Sequence, residues 1–425
     1  MRSRLMPLLL CGFFAAPCFG AEMVDDYGYP FVDPLEATVI GTPEMFAGAL
    51  PEDIPIEERE VLVFQARDVP EIFWYTQALP YALSAQPDPA PLVFILPGTG
   101  ANFNASKSLI LQRALYNAGF HVVSLPSPMH PNFIVSGSAS RRPGLLAEDA
   151  EDIYRAMELI RRRVEDEIEI SRWHLVGYSL GATNAAFVAK LDDERRAFDF
   201  AKVLLINPPV NLARSARILD AMFEEQLPTI ADFNALFNEL MQVLTKYYSP
   251  TEQVLFSDEM IFEIYRRSRP PDRTLEALIG AAFRFSSINL VFTSDVMTNA
   301  GLLVAPGQEL SLTDSLTPYF KAASRLSFED YARAILYPYY RKVAPEVTFD
   351  QLSELDSLRA IERYLRAAQK IGLMHNADDI LLGPDEIEYL KTVFGDRAVI
   401  FPRGGHAGNL AYRENLAYIV DFFTD

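Results

Sequence analysis

The sequence predicts an α/β fold in which helices cover both faces of a mostly parallel sheet. Short, continuous apolar runs such as residues 92–96 (LVFIL) recur along the chain, as is typical of strands buried on both faces. Amphipathic helical segments separate these runs, and such crossovers place helices on both sides of a sheet. With 425 residues, half of them hydrophobic, the chain is long enough for one large domain with an insertion or for two domains.

The first twenty residues have the pattern of a secretory signal peptide. Two arginines precede an apolar run over residues 5–19, and the small residues Gly20 and Ala21 follow. The run is shorter than the roughly 20 residues that a membrane span needs, and acidic residues come directly after it. We therefore expect cleavage near Gly20 and Ala21, a secreted or periplasmic protein, and no integral membrane association after the signal is removed.

Both cysteines, Cys11 and Cys18, lie inside this segment, so the mature chain is expected to lack disulfides and cysteine-bound metal. Lipid attachment at Cys18 is the less favoured alternative, because Pro17 stands where a small non-proline residue is needed. A net charge of −19 argues against nucleic acid as a partner. No metal-ligand spacing and no complete dinucleotide fingerprint is found, so neither a metal nor a cofactor is predicted.

The strands and helices of the predicted core follow in order after an N-terminal extension over residues 21–58. Strands are predicted at 59–66, 71–79, 92–96, 120–125, 173–176, 201–206, 370–374 and 397–401. Helices are predicted at 106–118, 144–168, 182–191, 384–394 and 407–423. The core is thus expected to comprise residues 59–211 and 361–425.

Residues 212–360 interrupt this alternation and have a helical pattern throughout. Apolar residues such as Ile230, Phe233 and Phe237 recur at helical spacing, and Ser327 is a candidate N-cap. Because the strand–helix pattern resumes afterwards, this block is predicted to be a helical cap inserted into one domain.

The most informative motif is Gly177-Tyr178-Ser179-Leu180-Gly181, which lies between an apolar strand and an alanine-rich helix. A serine at the apex of such a sharp turn exposes its hydroxyl above the sheet. The residues two positions away on each side must be small, because a side chain there would clash. Ser179 is therefore the candidate nucleophile.

A serine hydroxyl needs a base, and His406 is the best candidate among five histidines. It follows Gly404 and Gly405 and lies between the last strand and the last helix, where a loop could reach across the top of the sheet. The other histidines lie within strands, as His121 and His174 do, or in loops, as His130 and His375 do.

The base needs an orienting carboxylate, and two adjacent residues, Asp378 and Asp379, follow the strand at 370–374. The loop after the preceding strand, residues 207–211, contains no acid. The choice is therefore between these two aspartates. Asp378 is preferred, and Asp379 is the alternative acid, with one of the pair expected to cap a turn.

Three segments follow one another in the order serine, acid, histidine: the Gly177–Gly181 motif, the loop with Asp378 and Asp379, and the loop with Gly404, Gly405 and His406. In this order of motifs the chain resembles the α/β-hydrolase superfamily of esterases, lipases and serine peptidases. The resemblance implies Ser179 as nucleophile, His406 as base and Asp378 as orienting acid. It also implies an oxyanion hole formed by the backbone N–H groups of Thr99 and Leu180, a small-molecule ester or acyl substrate, and no cofactor.

Three functions are compatible with these residues. The first is an exported serine esterase, in which some of the aromatic residues of the cap line an apolar acyl pocket. The second is an aminopeptidase on the same fold, which would need acidic side chains to hold the substrate's amine; the cap offers Glu224, Glu225, Asp258 and Glu259. The third is a non-catalytic binding protein on a hydrolase fold.

Overall fold

A computed structural model describes residues 20–24, 27–226 and 272–424. These residues form a nine-stranded sheet in the order β1-β9-β8-β7-β6-β4-β5-β3-β2. The strands are β1 (Glu22–Met23), β2 (Glu57–Val61), β3 (Leu79–Ser84), β4 (Ala90–Leu96), β5 (His121–Ser124), β6 (Ile170–Tyr178), β7 (Lys202–Ile206), β8 (Ile371–Asn376) and β9 (Ala398–Phe401).

The sheet is mostly parallel, as predicted. Strands β4 to β9 pair in parallel with one another, and β1 adds a short parallel strand beside β9. Among the named strands, the antiparallel pairs are β2 with β3 and β3 with β5, at the opposite edge. Because the central strands are parallel, their carboxyl ends meet at one edge of the sheet, where α/β folds place their sites.

The α-helices within the described residues lie between these strands or after the last of them. They are α1 (Pro34–Ile40), α2 (Ser106–Asn117), α3 (Pro131–Ser136), α4 (Leu146–Val164), α5 (Leu180–Arg195), α6 (Leu212–Gln226), α7 (Asp272–Thr298), α8 (Thr317–Ala323), α9 (Phe328–Tyr331), α10 (Tyr337–Tyr340), α11 (Phe349–Leu355), α12 (Glu362–Ala367), α13 (Pro384–Phe394) and α14 (Arg413–Thr424).

Two apolar clusters lie on opposite faces of the sheet. Along β4, Leu92 and Phe94 belong to one cluster, whereas Val93 and Ile95 belong to the other. Successive side chains of a strand point to opposite faces, so a continuous apolar run is what a sheet covered on both sides requires. The predicted fold class, an α/β-hydrolase fold with helices on both faces, is confirmed.

The start of the core differs from the sequence-based prediction. Residues Glu71–Thr76, predicted as part of a strand, form a 3₁₀ helix that follows Pro70. Ile72 and Phe73 are buried next to each other, whereas Trp74 is 60% exposed, so burial does not alternate as in a half-buried strand. The second strand of the core is instead Leu79–Ser84, and its partner ends at Val61 rather than at residue 66.

The described part of the block between β7 and β8 consists of helices joined by irregular segments, of which residues 299–316 are the longest, so the expected helical pattern does not run through all of it. Ser327 caps α9 by accepting a hydrogen bond from the backbone N–H of Asp330, as predicted. The helical pattern predicted around Ile230, Phe233 and Phe237 lies outside the described residues. Helix α7 is apolar and long enough to span a membrane over Leu275–Thr298, but 61% of that window is buried inside the fold, as in the core helix of a large domain.

A buried ion pair joins α6 to α7. The Arg284 guanidinium is 3% exposed and lies 2.8 Å from an oxygen of Asp220 and 3.0 Å from one of Glu224. The two helices approach closely, because a Cβ added at Gly280 would lie 2.5 Å from the backbone nitrogen of Phe223. The arginine therefore holds together two helices of the block between β7 and β8.

Arg284→Ala is expected to lower the free energy of unfolding by about 3–5 kcal/mol, because the buried Asp220 carboxylate loses its counter-charge. Urea unfolding followed by circular dichroism measures this loss. Lys190→Ala is the control, since Lys190 pairs with Glu194 on the surface and should contribute about 0–1 kcal/mol. Equal losses in the two variants would contradict the role given to Arg284.

Candidate active site

Ser179 lies at the sharp turn between β6 and α5. Its φ of 54° and ψ of −129° are strained for a residue with a side chain, as expected for a nucleophile elbow. A Cβ added at Gly177 would lie 2.1 Å from the carbonyl oxygen of Gly181, and one added at Gly181 would lie 2.1 Å from that of Leu96. Other backbone atoms approach both positions so closely that neither has room for a side chain, and both must be glycine.

The structure places Ser179, His406 and Asp379 in a continuous hydrogen-bonded series. Ser179 Oγ lies 2.8 Å from His406 Nε2. His406 Nδ1 lies 3.0 Å from Asp379 Oδ2 and 3.1 Å from Asp379 Oδ1. The carboxylate is fully buried, whereas the imidazole is 14% exposed at its side chain, so the base can be reached from outside.

Asp378, preferred from the sequence as the orienting acid, does not occupy that position, and the prediction is wrong. Its carboxylate accepts hydrogen bonds from the backbone N–H groups of Gly404 and Gly405, at 3.1 and 2.9 Å. Adjacent residues in the turn direct their side chains differently, and only Asp379 points at the imidazole. Asp378 is thus the turn cap of the pair, since it ties down the loop that carries His406.

The surroundings of Asp379 favour its ionised form. Burial alone would raise its pKa, but the charge and hydrogen bond of His406 outweigh burial and hold the pKa below its ordinary value. Further hydrogen bonds come from the backbone N–H of Leu381, at 3.0 Å, and from Asn207 Nδ2, at 2.8 Å. A charged acid of this kind can orient the imidazole and stabilise its protonated form.

The N-terminal segment holds the loop that carries the histidine. The backbone N–H of His406 donates to Thr38 Oγ1, at 2.9 Å, in helix α1. A Cβ at Gly405 would lie 2.3 Å from the carbonyl oxygen of Pro34, and one at Gly408 would lie 1.9 Å from that of Ala37. Sequence analysis missed this contact, although the glycines around His406 are the signal that could have suggested a closely packed backbone.

A buried polar cluster continues this support. Asn409 Nδ2 donates to Tyr27 Oη at 2.8 Å and to Asn376 Oδ1 at 2.7 Å. The Tyr27 hydroxyl donates to the carbonyl oxygen of Arg403, and Asn376 Nδ2 donates to that of Gly405. Residues from the start of the described chain and from its end are therefore joined around the histidine.

The loop after β4 passes beside Ser179. A Cβ at Gly98 would lie 3.2 Å from Ser179 Cβ and 3.6 Å from its Oγ. Thr99 follows in this loop, and Leu180 is the first residue of α5. The roles of their N–H groups as oxyanion donors stay a prediction. At Gly100, with φ of 68°, an added Cβ would meet Ser286 Cβ at 2.9 Å, so α7 packs against this same loop.

The four remaining histidines do not take part in the series. His121, His130, His174 and His375 are all buried, and burial lowers the pKa of each of them. His375 Nε2 lies 3.8 Å from Asp379 Oδ2, behind the acid. Within the described ranges, no group of three or more His, Cys, Asp or Glu side chains could hold a metal ion.

No protein-family model matches the chain, and no curated protein matches it. Among solved structures, it is similar to a thioesterase domain from the curacin biosynthetic pathway, with 15% identity over 87% of this chain and 100% of that one and a TM-score of 0.39. It is also similar to the Pyrococcus furiosus esterase Pf2001, with 10% identity over 87% and 92% and a TM-score of 0.40. A thermostable esterase from Pseudomonas putida shares 14% identity over 88% and 83%, with a TM-score of 0.42.

Likenesses this distant say nothing about the activity of the chain. Its sheet order, with antiparallel strands at one edge, and its serine elbow between β6 and α5 are nevertheless the arrangement of an α/β-hydrolase fold.

Proposed function

We propose that this protein is a serine hydrolase that cleaves a carboxylic ester through an acyl-enzyme intermediate. The observation that carries the proposal is the series Ser179–His406–Asp379, with its three contacts between 2.8 and 3.1 Å. A serine becomes a nucleophile at neutral pH only beside a base, and that base acts only in the correct tautomer. Asp379 supports that tautomer because it accepts the Nδ1 proton.

The reaction follows from this geometry. His406 Nε2 takes the proton of Ser179 as Oγ attacks the ester carbonyl, and the resulting imidazolium is stabilised by Asp379. The tetrahedral intermediate expels the alcohol, which receives the proton from Nε2. Water, deprotonated by the same nitrogen, then releases the acid and restores the serine. The N–H groups of Thr99 and Leu180 are the proposed donors to the oxyanion.

The helical block is proposed to form a roof over the site. Its support is the contact between Ser286 of α7 and Gly100, two residues from the glycine that touches Ser179. An apolar roof would exclude water and suit an acyl chain. The aminopeptidase alternative has less support. Of its four candidate acids, Glu224 pairs with Arg284, Glu225 is exposed on helix α6, and Asp258 and Glu259 lie outside the described residues.

Export also belongs to this proposal. Residues 1–19 lie outside the described part of the chain, and the signal-peptide pattern is its support. N-terminal sequencing of the secreted protein should find a start near Ala21, and material that begins at Met1 would contradict export.

Ser179→Ala should abolish labelling by a fluorophosphonate probe and reduce hydrolysis of nitrophenyl esters to background, with little change in stability. The substitution removes the attacking oxygen and nothing that the fold needs. In-gel fluorescence and an ester panel measure the two effects, and aminoacyl amides in the same panel test the peptidase alternative. Ser171→Ala, an exposed serine at the start of β6, is the control. If the wild-type protein takes no label, it is not a serine hydrolase.

A further inference from the structure

Asn207 lies where the chain leaves β7, at the carboxyl edge of the sheet. Its backbone N–H donates to the carbonyl oxygen of Met374 in the neighbouring β8, at 2.9 Å. Its φ of 47° is in the left-handed region, which glycine, asparagine and aspartate tolerate best. The residue is fully buried. The side chain therefore starts next to the loop that carries the acid.

The amide of Asn207 is directed at that acid. Its Nδ2 donates to Asp379 Oδ2 at 2.8 Å, and its Oδ1 has no hydrogen-bond partner among the residues that the structure describes. A buried, unpaired oxygen destabilises a fold, so packing and the left-handed φ together would favour glycine over asparagine here. Among the described residues, the only hydrogen bond of this side chain is to the carboxylate that orients His406.

We propose that Asn207 is a positioning residue, which fixes the Asp379 carboxylate in the orientation that receives the Nδ1 proton of His406. This role rests on the function proposed above. Oδ2 accepts from Asn207 and Oδ1 accepts from the backbone N–H of Leu381, while His406 Nδ1 lies 3.0 Å from Oδ2 and 3.1 Å from Oδ1. Donors on separate sides prevent the carboxylate from turning, so the imidazole keeps one tautomer and one direction.

Asn207 does this without adding charge. The titratable groups that face Asp379 are His406, His375 and the adjacent Asp378. Burial lowers the pKa of His375 to about 4, so it is neutral at pH 7. A neutral amide therefore leaves the negative charge of Asp379 to the imidazolium that forms during the reaction. An aspartate in its place would put two carboxylates in contact, and these would share a proton.

The test uses two substitutions that keep the left-handed backbone, Asn207→Gly and Asn207→Asp. Asn207→Gly removes the donor, and kcat for a nitrophenyl ester should fall about tenfold with little change in KM. Asn207→Asp replaces the donor with a second acid. We expect kcat at pH 7 to fall about 100-fold, because the proton that the two acids share makes Asp379 a weaker acceptor for the Nδ1 proton of His406.

Asn211→Ala is the matched control, since Asn211 is buried in the same loop but contacts Arg214 and Ser353 instead of the triad. It should leave kcat, the pH profile and the downfield proton resonance of His406 Nδ1 unchanged. This resonance is a readout that needs no turnover. Both Asn207 variants should shift or broaden this resonance.

The outcomes separate the two proposals. A wild-type protein that hydrolyses no ester refutes the proposed function, and the resonance still tests Asn207. Folded Asn207 variants whose resonance, turnover and pH profile match Asn211→Ala refute the positioning role alone. So does a loss of thermal stability with unchanged turnover per folded molecule. If Asn207→Gly fails to fold, the nearly isosteric Asn207→Asp decides the matter.

Discussion

Asp379→Asn should lower kcat for ester hydrolysis by about 10⁴-fold, the loss typical of triads whose acid is replaced. The carboxylate lies 3.0 Å from His406 Nδ1, and an amide would turn its NH₂ group towards that nitrogen or leave the imidazole in the wrong tautomer. The imidazolium that forms during the reaction would also lose its buried counter-charge. Single-turnover and steady-state kinetics with a nitrophenyl ester measure the effect, and KM should change little.

Asp378→Asn is the matched control, because it is adjacent, also an aspartate, and contacts only the backbone of Gly404 and Gly405 among the hydrogen bonds described. Its kcat should stay within about tenfold of the wild type, since an amide oxygen can still accept one of these bonds. A larger loss in Asp378→Asn than in Asp379→Asn would overturn the assignment of the acid.

Gly408→Ala should lower the free energy of unfolding by about 3 kcal/mol or more, because the added methyl has no space. It would lie 1.9 Å from the carbonyl oxygen of Ala37 and 2.9 Å from that of Gly404. Both atoms belong to the backbone, so neither can move as the end of a side chain could. Urea unfolding measures the loss, and fluorophosphonate labelling of the remaining folded protein should slow as the histidine loop shifts.

Gly307→Ala provides the comparison for this prediction. Its φ of 79° is left-handed, but an added Cβ meets nothing within 4 Å. Backbone strain alone should destabilise this variant by about 1–2 kcal/mol. Unfolding midpoints that coincide in the two variants would show that α1 does not constrain Gly408.

Local patterns were enough to predict the sheet and the elbow. The apolar run at 92–96 has the pattern of a buried strand, and the glycines at 177 and 181 fit the elbow motif, so each can be recognised within a short stretch of sequence. The segment 71–79 was mistaken for a strand because aromatic and β-branched residues are common in strands. Burial of Ile72 and Phe73 under the α7 side of the fold overrides that preference.

The details of the site depended on contacts that leave no local pattern. Asp378 and Asp379 have the same chemistry, and only the course of the turn decides which one faces His406. Asn207 and Thr38 act through hydrogen bonds to residues far away in sequence, at 172 and 368 positions of separation. The direction in which such side chains point cannot be predicted from the sequence alone.

The hydrogen bond between Tyr27 and Asn409 joins residues 382 positions apart, so this support of the histidine loop needs both ends of the chain. The ribosome makes Ser179 long before His406, and the histidine loop closes only when its last residues pack against a helix made at the start. A growing chain therefore carries Ser179 before its hydrogen bond to His406 can form. Long-range closures of this kind form slowly. For the proposed serine hydrolase, assembly of the site is thus a late event that follows synthesis of almost the whole chain.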